Sequence, residues 1–414
     1  MSSTVVTPAG RAATTRARLW ATRHPIVAVV ALYGLSRLWS TLLLGGWYGL
    51  AHANVWRLGN AGRGASPAAY LNSWDSEFYL RIARQGYPVP LPVDGEGHVL
   101  GGAWAFLPVF PWLTRGLATL TGAPLADAAV IVALLAGGAA TVALFHLVRE
   151  VRRRTPGAVA ATSTALWTTA LFCFGPLAFL LQVGYAEGLS LFFVFAGLLA
   201  VLRRHYLLVL AFGVAAAFTR PGGALALAVA LGVHLIVRLV RAHRGEEGGM
   251  PARTLAAALV AGLGTAAAGL AWSPIVGALT GVPDAYLQTE MAWWTASVGR
   301  IRFVPLTPWF VMGSAYLGWA GPLVVLLALA AGVVWFTRRG ARMLGAELLA
   351  YGASWCLYLV AVFLPQQSLC RLILLPLAPL AADPLILRHR RLVLAAGLVL
   401  QPVAVVVLWS VSFP

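Results

Sequence analysis

The 414-residue sequence is 60% hydrophobic and only 10% charged, with a mean hydropathy of +0.81, which excludes an ordinary soluble domain. Its net charge of +17 comes from 30 basic residues, all of them arginine, set against 13 acidic ones. These arginines gather in short clusters between apolar runs, a pattern that argues for cytoplasmic anchoring charge and against nucleic-acid binding.

Continuous apolar runs of this length predict membrane helices, because a bilayer offers the backbone no hydrogen bonds and the runs do not alternate as barrel strands do. Residues 1–24 are expected to be a disordered cytoplasmic segment, followed by a single transmembrane domain over 25–414. Eleven spans are predicted, at about 25–50, 126–148, 157–180, 185–202, 206–219, 222–240, 254–278, 309–336, 346–364, 370–387 and 392–411. "LAHAN" at 50–54 resembles a signal-cleavage site, but the apolar run before it is too long and Arg37 interrupts it, so the first helix reads as uncleaved. With the N-terminus inside, the arginine clusters at 11–23, 149–154, 203–204, 238–253, 338–342 and 388–391 all face the cytoplasm. The long loops 51–125 and 279–308 then face outward. Cys173, Cys356 and Cys370 show no paired spacing, so neither a disulfide framework nor a metal site is implied.

In the first outer loop, Leu71, Trp74, Phe78 and Ile82 recur at helical spacing, with Glu77, Arg81 and Arg84 opposite. Asn72 or Ser73 is expected to cap a helix lying in the membrane interface. Asp75 falls in its first turn, where the helix dipole favours the ionised carboxylate; the residue suits a general base, or equally an acid that steadies the helix. Glu77, four residues before Arg81, reads as its partner. The apolar stretch 104–120 carries Pro108 and Pro111, and if it crossed the membrane it would put "REVRRR" outside. It is expected to be interfacial or re-entrant.

Further charges lie at the same outer side: Glu187 in "QVGYAEGLS", Arg220 in "FTRPGG" and Arg371 in "QQSLCRL". Arg37, within the first span, should face a cavity or a partner. The loop 281–304 adds Asp284, Glu290, Trp293, Trp294, Arg300 and Arg302. Carboxylates and arginines beside an apolar platform suit a lipid phosphate substrate, since guanidinium binds phosphate in a bidentate fork.

"WDSEFYLRIARQGY" followed by "WAFLPVFPWL" resembles the signature of the PIG-V family, GPI mannosyltransferase II and its bacterial relatives, within the GT-C membrane glycosyltransferases. "GYAEGLSLFF", "AAFTRPGG" and "SLCRLILLPLAPL" follow in the same order as weaker matches; "QTEMAWW" matches loosely and 89–103 does not align. The resemblance implies an all-α, GT-C-like polytopic enzyme. It would transfer a sugar, typically mannose, with inversion from a polyprenyl-phosphate donor to a hydroxyl of a glycolipid or polysaccharide on the extracytoplasmic face of the cell membrane. It implies Asp75 as the catalytic base and makes Trp74, Glu77, Glu187, Arg220 and Arg371 candidate substrate contacts; Arg37, on the ground of its intramembrane charge, is a further candidate to hold the donor's phosphate. No metal and no cofactor are expected, since a lipid monophosphate leaving group carries less charge than a nucleotide diphosphate and no DxD pair is present. The all-arginine, alanine-rich composition points to a bacterial source, which argues against GPI itself as acceptor. A transporter or flippase of lipid-linked sugars is the rival reading, although no repeated halves are visible.

Overall fold

The computed structural model describes residues 20–54, 60, 66–155 and 161–412. Most of the segment expected to be disordered therefore lies outside the described residues. Among them the secondary structure is helical, with one antiparallel bridge between Val93 and Val99. In chain order the principal helices are α1 (Pro25–Ala53), α2 (Asp75–Gln85), α3 (Val109–Thr121), α4 (Leu125–Arg154), α5 (Ala161–Cys173), α6 (Glu187–Arg203), α7 (Tyr206–Ala217) and α8 (Gly223–His243). There follow α9 (Ala252–Thr280), α10 (Ala285–Ala292), α11 (Pro308–Leu317), α12 (Ala320–Thr337), α13 (Ala346–Val362), α14 (Leu369–Leu374) and α15 (Arg390–Ala404), the last continued by a π-helical stretch, Val405–Val411.

Six helices among the described residues are long and apolar enough to cross a membrane: α1, α4, α8, α9, α12 and α15 with its continuation. The expected eleven spans are thus not matched one for one. The run 309–336 is broken at Gly318, whose φ of +56° ends α11 before α12 begins. The run 370–387 contains Pro376, Pro379 and Pro384 and forms α14, a 3-10 turn at Ala378–Ala382 and a short helix at Pro384–Arg388. Hydropathy alone registers neither interruption, because the breaking residues are themselves apolar or neutral. Along α12, Leu323, Val324, Leu326, Leu327, Val333 and Val334 are exposed. Such an apolar surface is unfavourable against water and suited to lipid.

The proline-containing stretch forms the helix Val109–Thr121. At about 1.5 Å per residue its 13 residues span about 20 Å, short of a hydrocarbon core of about 30 Å. Pro108 and Pro111 stand at its start, where backbone N–H groups lack helical partners anyway, so neither breaks it.

Close backbone contact between α4 and α6 anchors the interior. A Cβ on Gly188 would lie 2.9 Å from the Gly137 nitrogen and 3.1 Å from the Ala133 oxygen, so only glycine allows the approach. The Tyr33 hydroxyl of α1 donates to the Leu134 carbonyl at 2.6 Å and ties a third helix to the pair. This packing fixes the N-terminus of α6, where Glu187 sits.

Candidate active site

The segment preceding α2 is shaped by its neighbours. Gly184 approaches it so closely that a Cβ there would fall 2.0 Å from Asn72 Oδ1. The Gly184 N–H donates to the Leu71 carbonyl at 3.0 Å, and Ser76 Oγ donates to the Gly184 carbonyl at 2.8 Å. Asn72 Nδ2 donates to the carbonyls of Ala68 and Ala126. Asn72 and Ser73 therefore do not cap α2; its N-cap is Trp74, at φ +60°, a conformation unfavourable for a bulky residue. Trp74 is held there in part by its indole N–H, which donates to the Trp409 carbonyl at 2.7 Å. The helix starts at Asp75, later than the spacing predicts, and Leu71 belongs to the separate short helix Pro67–Leu71.

Asp75 is the first residue of α2 and Glu187 the first of α6, so both carboxylates meet the positive end of a helix dipole. Two arginines join them. Arg371 Nη2 donates to Asp75 Oδ2 at 2.7 Å, and its Nη1 lies 3.4 Å from Glu187 Oε1. Arg220 Nη1 donates to the same Glu187 oxygen, and Arg220 Nη2 stands 4.0 Å from Asp75 Oδ2. The Arg371 guanidinium also lies over the Tyr185 ring, 5.2 Å from its centroid, and the Tyr185 hydroxyl accepts the Asp75 backbone N–H at 3.3 Å. Glu187 and Arg371 are 5% and 8% exposed, Arg220 and Asp75 17% and 19%, so the charges are enclosed but reachable from one side.

Four residues from four distant segments thus form one charge-balanced cluster. Its pairing is incomplete: Arg371 Nε and Glu187 Oε2 are buried without a hydrogen-bond partner.

The other candidates lie apart from this cluster. Arg37 is buried in α1 and donates to the carbonyls of Ala178 and Cys173 and to Ser36 Oγ, where it satisfies backbone left open past the end of α5. Glu77 is exposed, and the Glu77–Arg81 ion pair expected from spacing does not form; Arg81 lies over the Phe78 ring instead, 5.4 Å from its centroid. Trp74 flanks the cluster through its backbone.

Glu290 on α10, one of the charges of the 281–304 loop to which the sequence assigns no site role, belongs near this group. It is half-buried, and its charge interacts with those of Arg220 and Asp75. Burial pushes its carboxyl up to about 7; the Tyr286 hydroxyl and Arg220 pull the other way, and Asp75 adds to the rise. The tryptophans beside it read as interface anchors, which masked the carboxylate between them and Tyr286.

Asp94, Glu96 and His98 could bring their donor atoms together on the exposed 93–99 turn. There Asp94 Oδ1 accepts the backbone N–H groups of Glu96 and His98, and its Oδ2 accepts from Arg300 at 2.9 Å. These contacts account for the turn itself.

Residues 66–241 match the model of a known family, one described as mannosyltransferase (PIG-V). That segment is PIG-V-like. It contains Asp75, Glu187 and Arg220, whereas Glu290 and Arg371 lie beyond it. The match supports a membrane glycosyltransferase. Two solved structures of the Archaeoglobus fulgidus oligosaccharyltransferase are also similar. One, a complex with Zn and sulfate, has 15% identity and a TM-score of 0.39, covering 91% of this chain and 51% of that one. The other, tethered to an acceptor peptide containing the NVT sequon through a disulfide bond, has 14% identity and a TM-score of 0.39, covering 95% and 55%. The chain therefore spans about half the length of those proteins. No curated protein matches it.

Proposed function

We propose that this PIG-V-like protein transfers mannose from a polyprenyl-phosphate donor to a hydroxyl of a glycolipid or polysaccharide acceptor, at the extracytoplasmic face of a cell membrane. The observation that carries this reading is the meeting of Asp75, within the PIG-V motif, with Arg371 and Arg220 at a partly open, enclosed site. A carboxylate base and two guanidiniums are the groups that such a displacement needs.

In the proposed reaction Asp75 removes the acceptor hydroxyl's proton as that oxygen forms its bond to the anomeric carbon. The bond from that carbon to the donor's phosphate oxygen breaks on the opposite face, and its electron pair leaves with polyprenyl phosphate. The configuration inverts. Arg371 and Arg220 hold the developing phosphate charge through charge-assisted hydrogen bonds. Donor phosphate would compete with Asp75 and Glu187 for both arginines.

The apolar chain of the donor needs a groove facing lipid. A cavity of about 470 Å³ lined by Trp309, Met312, Tyr316 and Val325, with Gln366 and Gln367 at its wall, suits it. Gln367 precedes Arg371 by about one helical turn, so a chain lying there could present its phosphate toward that guanidinium.

The test is an assay of the purified protein with labelled polyprenyl-phosphate mannose and a membrane glycolipid extract, followed by linkage analysis. A labelled product with inverted anomeric configuration is expected. Transport of the intact lipid across vesicles with no new glycosidic bond would overturn the reading in favour of a flippase.

A further inference from the structure

Helix α10 is fastened beside the cluster. Ala285 and Thr289 are buried, and Ala285 packs in a core with Trp104 and Trp272. One turn beyond Thr289, the Trp293 ring meets Phe78 edge-on at 5.4 Å between centroids. Phe78 lies three residues after Asp75 on α2, and Phe106 stacks on its other face at 4.7 Å. Gly101 is pressed against the same indole, since a Cβ there would fall 2.8 Å from it. On the cluster's opposite side, the turn carrying Arg220 lies against Tyr358 of α13: a Cβ on Gly222 would fall 2.5 Å from that ring. Tyr286, one turn before Glu290, and Phe218, two residues before Arg220, pack against the same core as Ala285, which brings α10 beside the α7–α8 turn. The charges that act on Glu290 are those of Arg220 and Asp75, and its titratable neighbours are Tyr286 and Tyr358. Unlike Asp75 and Glu187, it forms no ion pair with a guanidinium among the described residues. Its carboxylate pairs with the Tyr286 hydroxyl and keeps further acceptor lone pairs that a ligand's hydroxyls can use.

We infer that Glu290 is a fifth member of the site and accepts hydrogen bonds from hydroxyls of the donor's sugar, while Arg220 and Arg371 take the phosphate. The inference rests on the proposed use of a sugar-bearing lipid phosphate. A carboxylate is a strong acceptor for a pair of sugar hydroxyls, and a helix pinned by Trp293 and Ala285 gives it a fixed direction. The division of labour is also economical in charge: the two cations meet the anionic phosphate, and Glu290 meets neutral hydroxyl donors. Glu290 would then help to decide which sugar is accepted.

The experiment compares the binding of labelled polyprenyl-phosphate mannose with that of sugarless polyprenyl phosphate to the detergent-solubilised full chain. In Glu290→Gln the affinity for the mannosyl lipid should fall about tenfold, with that for the sugarless lipid changed less than twofold. In the unaltered protein, mannosyl-lipid affinity should rise several-fold from pH 6 to pH 8, as the carboxyl ionises and its hydrogen bonds become charge-assisted; in Glu290→Gln it should be flat. Equal losses for both lipids, no loss for either, a retained pH response in Glu290→Gln, or no discrimination between the lipids by the unaltered protein would each overturn the inference. If Glu290→Gln does not fold, Glu290→Asp takes its place: it should keep the pH response with weakened mannosyl-lipid binding, and its loss of that response would overturn the inference. A protein that binds the mannosyl lipid through Glu290 yet forms no glycosidic bond would leave the inference standing and defeat the proposed transfer.

Discussion

Replacing Asp75 by asparagine tests the proposed chemistry with little change in shape. Asp75 Oδ2 accepts from Arg371 at 2.7 Å, and an asparagine oxygen can take the same bond. What is lost is one negative charge in a cluster of two carboxylates and two guanidiniums, leaving Glu187 to face both arginines. Exchanging a charged acceptor for a neutral one weakens the hydrogen bond by about 1 kcal/mol, and the uncompensated cation raises the loss to about 1–3 kcal/mol, short of unfolding. Loss of a positioned general base lowers turnover about 10²–10⁴-fold, equivalent to about 3–5 kcal/mol of barrier. Donor binding should move the other way: with a carboxylate rival removed, the arginines should hold polyprenyl phosphate as well as before or better. The assay is single-turnover transfer from labelled polyprenyl-phosphate mannose, with sugarless polyprenyl phosphate binding measured on the same preparation. Turnover within a few-fold of the unaltered protein would refute the base assignment, and a parallel loss of lipid binding would show that Asp75 holds the site together instead.

Three further outcomes are expected. Arg371→Lys keeps the charge but cannot span Asp75 and Glu187 with one fork or cover the Tyr185 ring, so kcat/KM for the donor should fall about 10–100-fold; unaltered donor kinetics would remove Arg371 from the phosphate site. Gly184→Ala drives a methyl group to 2.0 Å from Asn72 Oδ1, and moving Asn72 disturbs its bonds to Ala68 and Ala126, so thermal unfolding in detergent should register a loss of about 2–3 kcal/mol; an unchanged unfolding temperature would contradict the close packing. Arg300→Ala removes an ion pair with Asp94 whose members are 50% and 28% exposed, and should alter stability by no more than about 1 kcal/mol, with transfer unchanged; a much larger drop would mean that the two outer loops depend on this contact.

The charged members of the site were legible in the sequence because a chain this apolar retains ionisable groups near the membrane only where something holds them. Asp75 stood out by its place in a first helical turn within the motif, and Glu187, Arg220 and Arg371 as charges at the ends of apolar runs; the structure brings all four together. The same signal pointed to Arg37, whose guanidinium instead serves backbone carbonyls; cost of burial says that a partner exists without saying which. Glu290 was obscured because a loop rich in tryptophan has an ordinary explanation as an interface anchor. Spacing placed Leu71 and Trp74 on one helix with Phe78, but Gly184 presses the chain into a turn there, and that contact joins residues more than a hundred positions apart. The spans were legible as apolar mass and illegible as continuous helices, since Gly318 and the prolines at 376, 379 and 384 interrupt runs without lowering their hydropathy.

The indole of Trp74 is bonded to the carbonyl of Trp409, 335 residues later, and Asp75 to Arg371, 296 residues later. During synthesis the motif-bearing loop would leave the translocon long before either partner has been made by the ribosome. Until the segments carrying Arg371 and Trp409 are in place, Trp74 lacks that brace and Asp75 lacks that counter-charge. A nascent chain would accordingly carry the motif yet be unable to use it until both residues have been made and packed against the loop.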